Sequence, residues 1–322
     1  MGSGRWSTDV YSAAANYRAA TGASAFAYSD GGARSAHPSL DPRGVATRES
    51  RDSAEHPRST PIAVLFDVTG SMGTVPRTLQ TKLPQLLGLL LRRGYATDPQ
   101  ILFGAVGDAT CDRVPLQVGQ FESDNRMDEQ LANIVLEGGG GGQKHESYEL
   151  AMYFLARHTD TDAARRGRRG YVFLIGDELP YRHVKAEEVR AVIGDPLAED
   201  VPVEAIVAEL SRQYHVYYLL PRGSYYAGDE AVLERWRQLL GENVIELDDL
   251  DAVCETIALT VGLNEDTVGL DEGLADLADL GSRAGATVGK ALEPLSRAVA
   301  RRSRTVRATL PRSTRGSGTV RL

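Results

Sequence analysis

The sequence has few cysteines, few lysines and no long apolar run. Its 322 residues include only two cysteines, Cys111 and Cys254, which are too few and too far apart to predict a disulfide framework or a zinc cage. No stretch approaches the ~20 consecutive apolar residues that cross a bilayer. The first ten residues also lack the apolar segment of a secretory signal. We therefore expect a cytoplasmic protein that does not enter a membrane.

Charge is distributed unevenly along the chain. The net charge is −8, although the segment from Arg301 onward contains seven arginines and no acidic residue. The rest of the chain is therefore more acidic than the total indicates, which argues against nucleic-acid binding by the body of the protein. We expect at most weak electrostatic binding of nucleic acid, through the arginine-rich tail.

Composition divides the chain into three segments. Residues 1–60 are rich in Ser, Ala, Gly and Arg, which predicts a poorly ordered, flexible N-terminal arm with a short helix from Thr8 to Ala20. Residues 61–264 alternate between predicted strands and helices and form the main domain. Residues 265–322 are predicted to be a helical, low-complexity extension that ends in the basic tail.

The alternation within residues 61–264 predicts an α/β fold. Pro61–Phe66 and Tyr171–Ile175 are short and wholly apolar, as expected for central strands that are covered on both faces. Strands that alternate with helices favour an open, doubly wound and mostly parallel sheet with helices on both faces.

Oxygen-bearing side chains follow two of the apolar strands. Asp67, Thr69 and Ser71 stand at alternate positions after the first strand, and Asp177 with Glu178 follows the second. Alternate side chains of an extended segment point to one side, so these oxygens can converge at the carboxyl end of the sheet. Carboxylate and hydroxyl oxygens suit a hard cation such as Mg²⁺ or Mn²⁺.

The segment Asp67-Val68-Thr69-Gly70-Ser71-Met72 resembles the Asp-x-Ser/Thr-x-Ser loop of von Willebrand factor A domains, which forms their metal-ion-dependent adhesion site. The resemblance extends from about Pro61 to Gly262. It implies that Asp67, Thr69 and Ser71 hold Mg²⁺ or Mn²⁺, and that Asp177 supplies a further ligand, often through water.

The resemblance also implies a function in protein binding without catalysis. In that family, an Asp or Glu of a partner protein completes the coordination of the metal. Intracellular bacterial members often act beside AAA+ ATPases, so such an ATPase is one partner to expect.

The second metal loop departs from the family pattern. Relatives commonly present a Thr after a glycine run, whereas here Gly138 to Gly142 leads into Gln143-Lys144-His145-Glu146-Ser147. The sequence leaves open whether His145, Ser147 or a water molecule takes the place of the Thr. Neutral imidazole is a poor ligand for Mg²⁺ but binds Mn²⁺ and later transition metals.

Two other functions remain as alternatives. The segment Thr69 to Gly73 nearly matches the Gly-x-Ser-x-Gly turn of serine hydrolases, with Asp177 and then His183 or His215 as further members of a triad. The first glycine of that motif is missing, and a β-branched Thr is poorly suited to the strained turn. The third possibility is a scaffold that has lost its metal because the second loop has changed.

Overall fold

Strands and helices alternate along the chain, which confirms the predicted α/β class. A computed structural model describes residues 4–72, 74–138 and 144–309. The strands are β1 (Arg48–Ser50), β2 (Thr60–Asp67), β3 (Pro99–Val106), β4 (Leu116–Val118), β5 (His145–Glu146), β6 (Thr159–Thr161), β7 (Gly170–Ile175), β8 (Leu179–Pro180), β9 (His183–Val184), β10 (Val201–Pro202), β11 (Tyr214–Pro221) and β12 (Val244–Leu247). The helices are α1 (Thr8–Thr21), α2 (Ala27–Asp30), α3 (Val75–Leu87), α4 (Arg126–Ala132), α5 (Tyr148–Arg157), α6 (Asp162–Arg165), α7 (Ala186–Val192), α8 (Val203–Leu210), α9 (Glu230–Leu240), α10 (Val253–Asn264), α11 (Leu270–Asp279) and α12 (Gly285–Thr309).

The central sheet has six strands and is mostly parallel, as predicted. Its strand order is β12-β11-β7-β2-β3-β4, and only β4 runs antiparallel to its neighbour. Strand β2 lies in the middle, where Phe66 is paired with Ala105 of β3 and with Ile175 of β7. All eight residues of β2 are buried, because the strand is covered on both faces.

Helices pack on the two faces of this sheet. Alternate residues of β2 enter different cores: Val64 and Phe66 pack with α3, α10 and α12, whereas Ala63 and Leu65 pack with α5, α8 and α9. The leucines of α3 that recur at three- and four-residue spacing, such as Leu79, lie in the first core. The apolar pattern of each element therefore matches the layer it faces.

The direction of the chain across the sheet reverses at β2. The chain passes from β2 to β3 on one side and later returns to β7 on the other. Such a switch point opens a crevice at the carboxyl ends of the two strands. Asp67 ends β2, and the segment Gly176 to Glu178 follows β7, so the fold places both acidic loops at this crevice.

The N-terminal segment contacts the main domain at several points. Helix α1 corresponds to the predicted helix, and the Tyr11 hydroxyl donates to the carbonyl of Gln80 at 2.7 Å. Arg18 pairs with Asp128 at 3.1 Å, and β1 pairs with β6 in parallel. Composition did not predict these contacts, because they come from single side chains and from a three-residue strand pairing instead of a continuous apolar face.

The C-terminal extension is helical where it is described. Val288 and Leu292 of α12 are buried in the core that contains α10. The end of the basic tail, residues 310–322, lies outside the described residues. In the described ranges, no helix combines the length and apolarity that crossing a membrane requires.

Close packing at Gly104 gives a test of the sheet. A Cβ atom at Gly104 would lie 2.7 Å from the carbonyl oxygen of Gln117 and 3.0 Å from Cγ of Leu65. We expect Gly104→Ala to lower the free energy of unfolding by about 1–3 kcal/mol, because β3 and β4 must move apart. Urea denaturation measures this change. Gly228→Ala, where the added Cβ meets no atom within 4 Å, is the control, and equal stability of the two variants would contradict the packing.

Candidate metal centre

The carboxyl group of Asp67 is held in a fixed orientation at the end of β2. Its side chain is fully buried, and Oδ1 accepts hydrogen bonds from the backbone N–H of Thr69 at 2.7 Å and from the Thr69 hydroxyl at 2.6 Å. Oδ2 has no hydrogen-bond partner among the described residues. Asp67 and Thr69 thus form a local turn that uses Oδ1 of Asp67 and leaves its Oδ2 without a bond to Thr69.

Two glutamates meet Asp67 in the crevice. One oxygen each from Asp67, Glu146 and Glu178 lies within 4.8 Å of the other two, and all three residues are buried. Glu146 ends the short strand β5, which pairs with β8 directly after Glu178. The β5–β8 pairing therefore brings the second loop to the carboxyl end of β7. We call these three residues the carboxyl cluster.

Burial and mutual repulsion disfavour ionisation of the carboxyl cluster. Burial, followed by the charges of Glu178 and Asp177, raises the pKa of Asp67 to about 8 against the lowering effect of the Thr69 hydrogen bonds. Burial also raises the pKa of Glu178 to about 7 and that of Glu146 to about 12. No lysine or arginine of the described ranges forms a salt bridge with the cluster. Among the described residues, these carboxyl groups therefore have no basic partner to balance their charge.

The donor set fits a hard divalent cation. One oxygen of each cluster residue is buried and without a hydrogen-bond partner within the described part of the chain, namely Asp67 Oδ2, Glu146 Oε2 and Glu178 Oε2. Three ligands of an octahedral Mg²⁺ include at least two adjacent pairs, whose oxygens lie about 2.9 Å apart. The cluster oxygens, which lie within 4.8 Å of one another, would move closer together to form such a shell.

The predicted metal ligands have different positions relative to the cluster. Asp67 belongs to it, and Thr69 is buried and positions Asp67. Asp177 is buried beside it and raises the pKa of Asp67 by its charge, but its Oδ2 accepts the backbone N–H of Tyr226 at 2.9 Å. The side chain of Ser71 lies outside the described residues.

In the second loop, the cluster receives Glu146 and neither His145 nor Ser147, the two side chains that the sequence left open. The ring of His145 stacks on Tyr181 with 5.1 Å between centroids, and the Ser147 hydroxyl accepts the N–H of Ala109 at 2.9 Å. Glu146 stands between them and enters the cluster because successive strand residues point to opposite faces. The sequence signal that could have identified Glu146 is that it is the first acid after the glycine run.

The arrangement does not support the proposed hydrolase triad at His215. His215 is near the start of β11, is paired with Tyr171 and stacks on its ring at 5.3 Å. Asp177 follows the opposite, carboxyl end of the neighbouring strand β7. His183, the other candidate base, is exposed on β9.

Comparisons with known proteins add little to this description. No protein family and no curated protein matches the chain. The pilus adhesin SpaC from Lactobacillus rhamnosus GG, in an open conformation, is 10% identical with a TM-score of 0.45 over 67% of this chain and 31% of that chain. Proximal thread matrix protein 1 from the mussel byssus, in its second crystal form, is 10% identical with a TM-score of 0.40 over 67% of this chain and 48% of that chain. This chain spans less than half of either neighbour, and similarities this weak carry no argument about the site.

The assignment of the second-loop ligand can be tested by substitution. Addition of Mn²⁺ is expected to raise the melting temperature of the wild-type protein, because a ligand that binds only the folded state stabilises it. Glu146→Gln should weaken Mn²⁺ binding about tenfold or more, since it removes a charged ligand. His145→Gln is the matched control and should behave as the wild type. A loss of the Mn²⁺ effect in His145→Gln alone would contradict this ligand set.

Proposed function

We propose that this chain binds Mg²⁺ or Mn²⁺ at the carboxyl cluster and uses the loaded site to recognise an acidic residue of a partner protein. The observation that carries the proposal is the burial of three carboxyl groups, each of which brings one oxygen within 4.8 Å of the other two. Each group also has one oxygen without a hydrogen-bond partner among the described residues. Buried charge without compensation is costly, so such a set is stable only when it is protonated or binds a cation.

Two features support a von Willebrand A-like arrangement as part of this proposal. The Asp67-x-Thr69-x-Ser71 loop follows the central strand β2, and the cluster lies at the switch point between β2 and β7. Asp67, Glu146 and Glu178 would hold the cation, which would supply a coordination site for a partner carboxylate. Thr69 would keep Asp67 in its orientation, and Asp177 would orient water. We assign no catalytic role to these residues.

Charge sets a condition on the recognition of an acidic partner. Two ionised carboxylates balance a divalent cation, and a third would leave a net negative charge that opposes an incoming acid. A partner Asp or Glu therefore binds favourably when it displaces one carboxylate of the cluster from the cation. Glu146 would be a ligand before the partner binds and is best suited to be displaced, because it lies on the two-residue strand β5, whereas Asp67 ends a fully buried strand.

The rim of the site has features of a protein-binding surface. Tyr225 is 81% exposed and packs edge-to-face on Tyr226 at 4.7 Å, and the backbone of Tyr226 contacts Asp177. The ammonium group of Lys144 lies 5.8 Å from the centroid of the Tyr226 ring and pairs with Asp229. Exposed tyrosines are enriched at protein interfaces, which supports this surface as the place where a partner docks.

Calorimetry tests the metal part of the proposal. Titration of the wild-type protein with MgCl₂ or MnCl₂ should show saturable binding, and Asp67→Asn should abolish it because the central carboxylate is lost. Asp271→Asn, on the exposed start of α11, is the control. The absence of binding in the wild type would instead support the metal-free scaffold. Labelling of Ser71 by a serine-reactive phosphonate would support a hydrolase.

A quantitative pull-down tests recognition of a partner. A protein retained by the immobilised chain in Mn²⁺ should be released by EDTA and should not be retained by Asp67→Asn. Tyr225→Ala should weaken retention while leaving Mn²⁺ affinity unchanged, since Tyr225 lies on the rim and is not a ligand. Retention that is equal in EDTA and Mn²⁺ would contradict metal-dependent recognition.

A further inference from the structure

Four arginines surround a small cavity at the amino end of the sheet. The cavity has a volume of about 40 Å³ and lies beside Thr60, the first residue of β2. Its charged lining consists of Arg58, Arg166, Arg168, Arg169 and Glu265. The carboxyl cluster lies at the other end of the same strands, so this cavity is a separate feature. We call it the arginine cavity.

Close backbone packing brings these arginines together. A Cβ atom at Gly170 would lie 2.6 Å from the carbonyl oxygen of Pro61, so β7 begins in close contact with the start of β2. Gly167, with φ of +70°, turns the chain between Arg166 and Arg168. The segment 165–169, which has four arginines in five residues, is thereby placed beside Arg58.

Two of the four guanidinium groups are paired with an acidic residue. Arg166 pairs with Asp52 and donates to the carbonyl of Ser59 at 2.8 Å, and Arg168 pairs with Glu265.

The other two arginines, Arg58 and Arg169, form no salt bridge with a described residue. Arg169 reaches only the carbonyl of Ser211, at 3.4 Å. Asp98 also lies beside Arg58 and accepts its backbone N–H at 3.0 Å. When Asp52, Asp98 and Glu265 are counted with the four arginines, the arginine cavity keeps a net charge of +1.

We propose that the arginine cavity binds a phosphate group. Guanidinium groups donate paired hydrogen bonds that match phosphate oxygens, and the excess positive charge favours an anion. A single water molecule needs about 10–15 Å³ of cavity volume. The arginine cavity, with 40 Å³, therefore accommodates a tetrahedral oxyanion but not a nucleotide. A phosphate monoester would place its phosphate in the cavity and its organic part in solvent.

Calorimetric titration with inorganic phosphate tests this site. The titration is done at constant ionic strength and in EDTA, so that no metal ion is bound at the carboxyl cluster while phosphate is added. The wild type should bind phosphate and should not respond to an equivalent addition of chloride. The double variant Arg58→Gln/Arg169→Gln should bind phosphate about tenfold or more weakly, a loss of at least ~1.4 kcal/mol.

A matched double variant controls for overall charge. Arg34→Gln/Arg190→Gln removes two exposed arginines elsewhere and should keep wild-type phosphate affinity. Competition by AMP against phosphate would identify a monoester as the ligand, and binding of phosphate alone would identify the free anion. Equal phosphate affinity in both double variants, or no binding by the wild type, would overturn the proposal. Because no metal is needed, failure here leaves the metal proposal unaffected.

Discussion

Repulsion among buried carboxyl groups is the constraint on which the rest of this site depends. Asp67, Glu146 and Glu178 meet at the switch point between β2 and β7. No basic side chain of the described ranges pairs with them. Burial disfavours their ionised forms, while a divalent cation would favour those forms. The fold thus holds an arrangement that is costly without a bound proton or cation, and the surrounding packing keeps it in place.

Charge of opposite sign occupies the two ends of the central strands. The carboxyl end of β2 and β7 carries the acidic cluster, and the amino end carries the arginine cavity. The overall charge of −8 conceals this separation. The two proposed ligands differ accordingly, a cation at one end and an oxyanion at the other, and the strands between them separate the two places.

The main elements of the fold and part of the site could be predicted from residue patterns. Apolar strands alternate with amphipathic helices strongly enough to predict the parallel sheet, and Asp67 with Thr69 was recognisable from spacing. Glu146 was not, since its role comes from the pairing of β5 with β8, two strands of two residues each. Such short strands have no periodicity to detect, and their register is set by surrounding contacts.

The amino-acid sequence by itself determined the α/β class, the buried central strands and the placement of acidic loops after them. Those properties follow from local apolar periodicity and from the rule that parallel strands end at one edge. Tertiary structure alone decided that Glu146 joins Asp67 while His145 turns to Tyr181, and that Arg58 and Arg169 line one cavity at the starts of β2 and β7. These contacts join residues far apart in the chain, and the three-dimensional packing of strands determines which side chains meet.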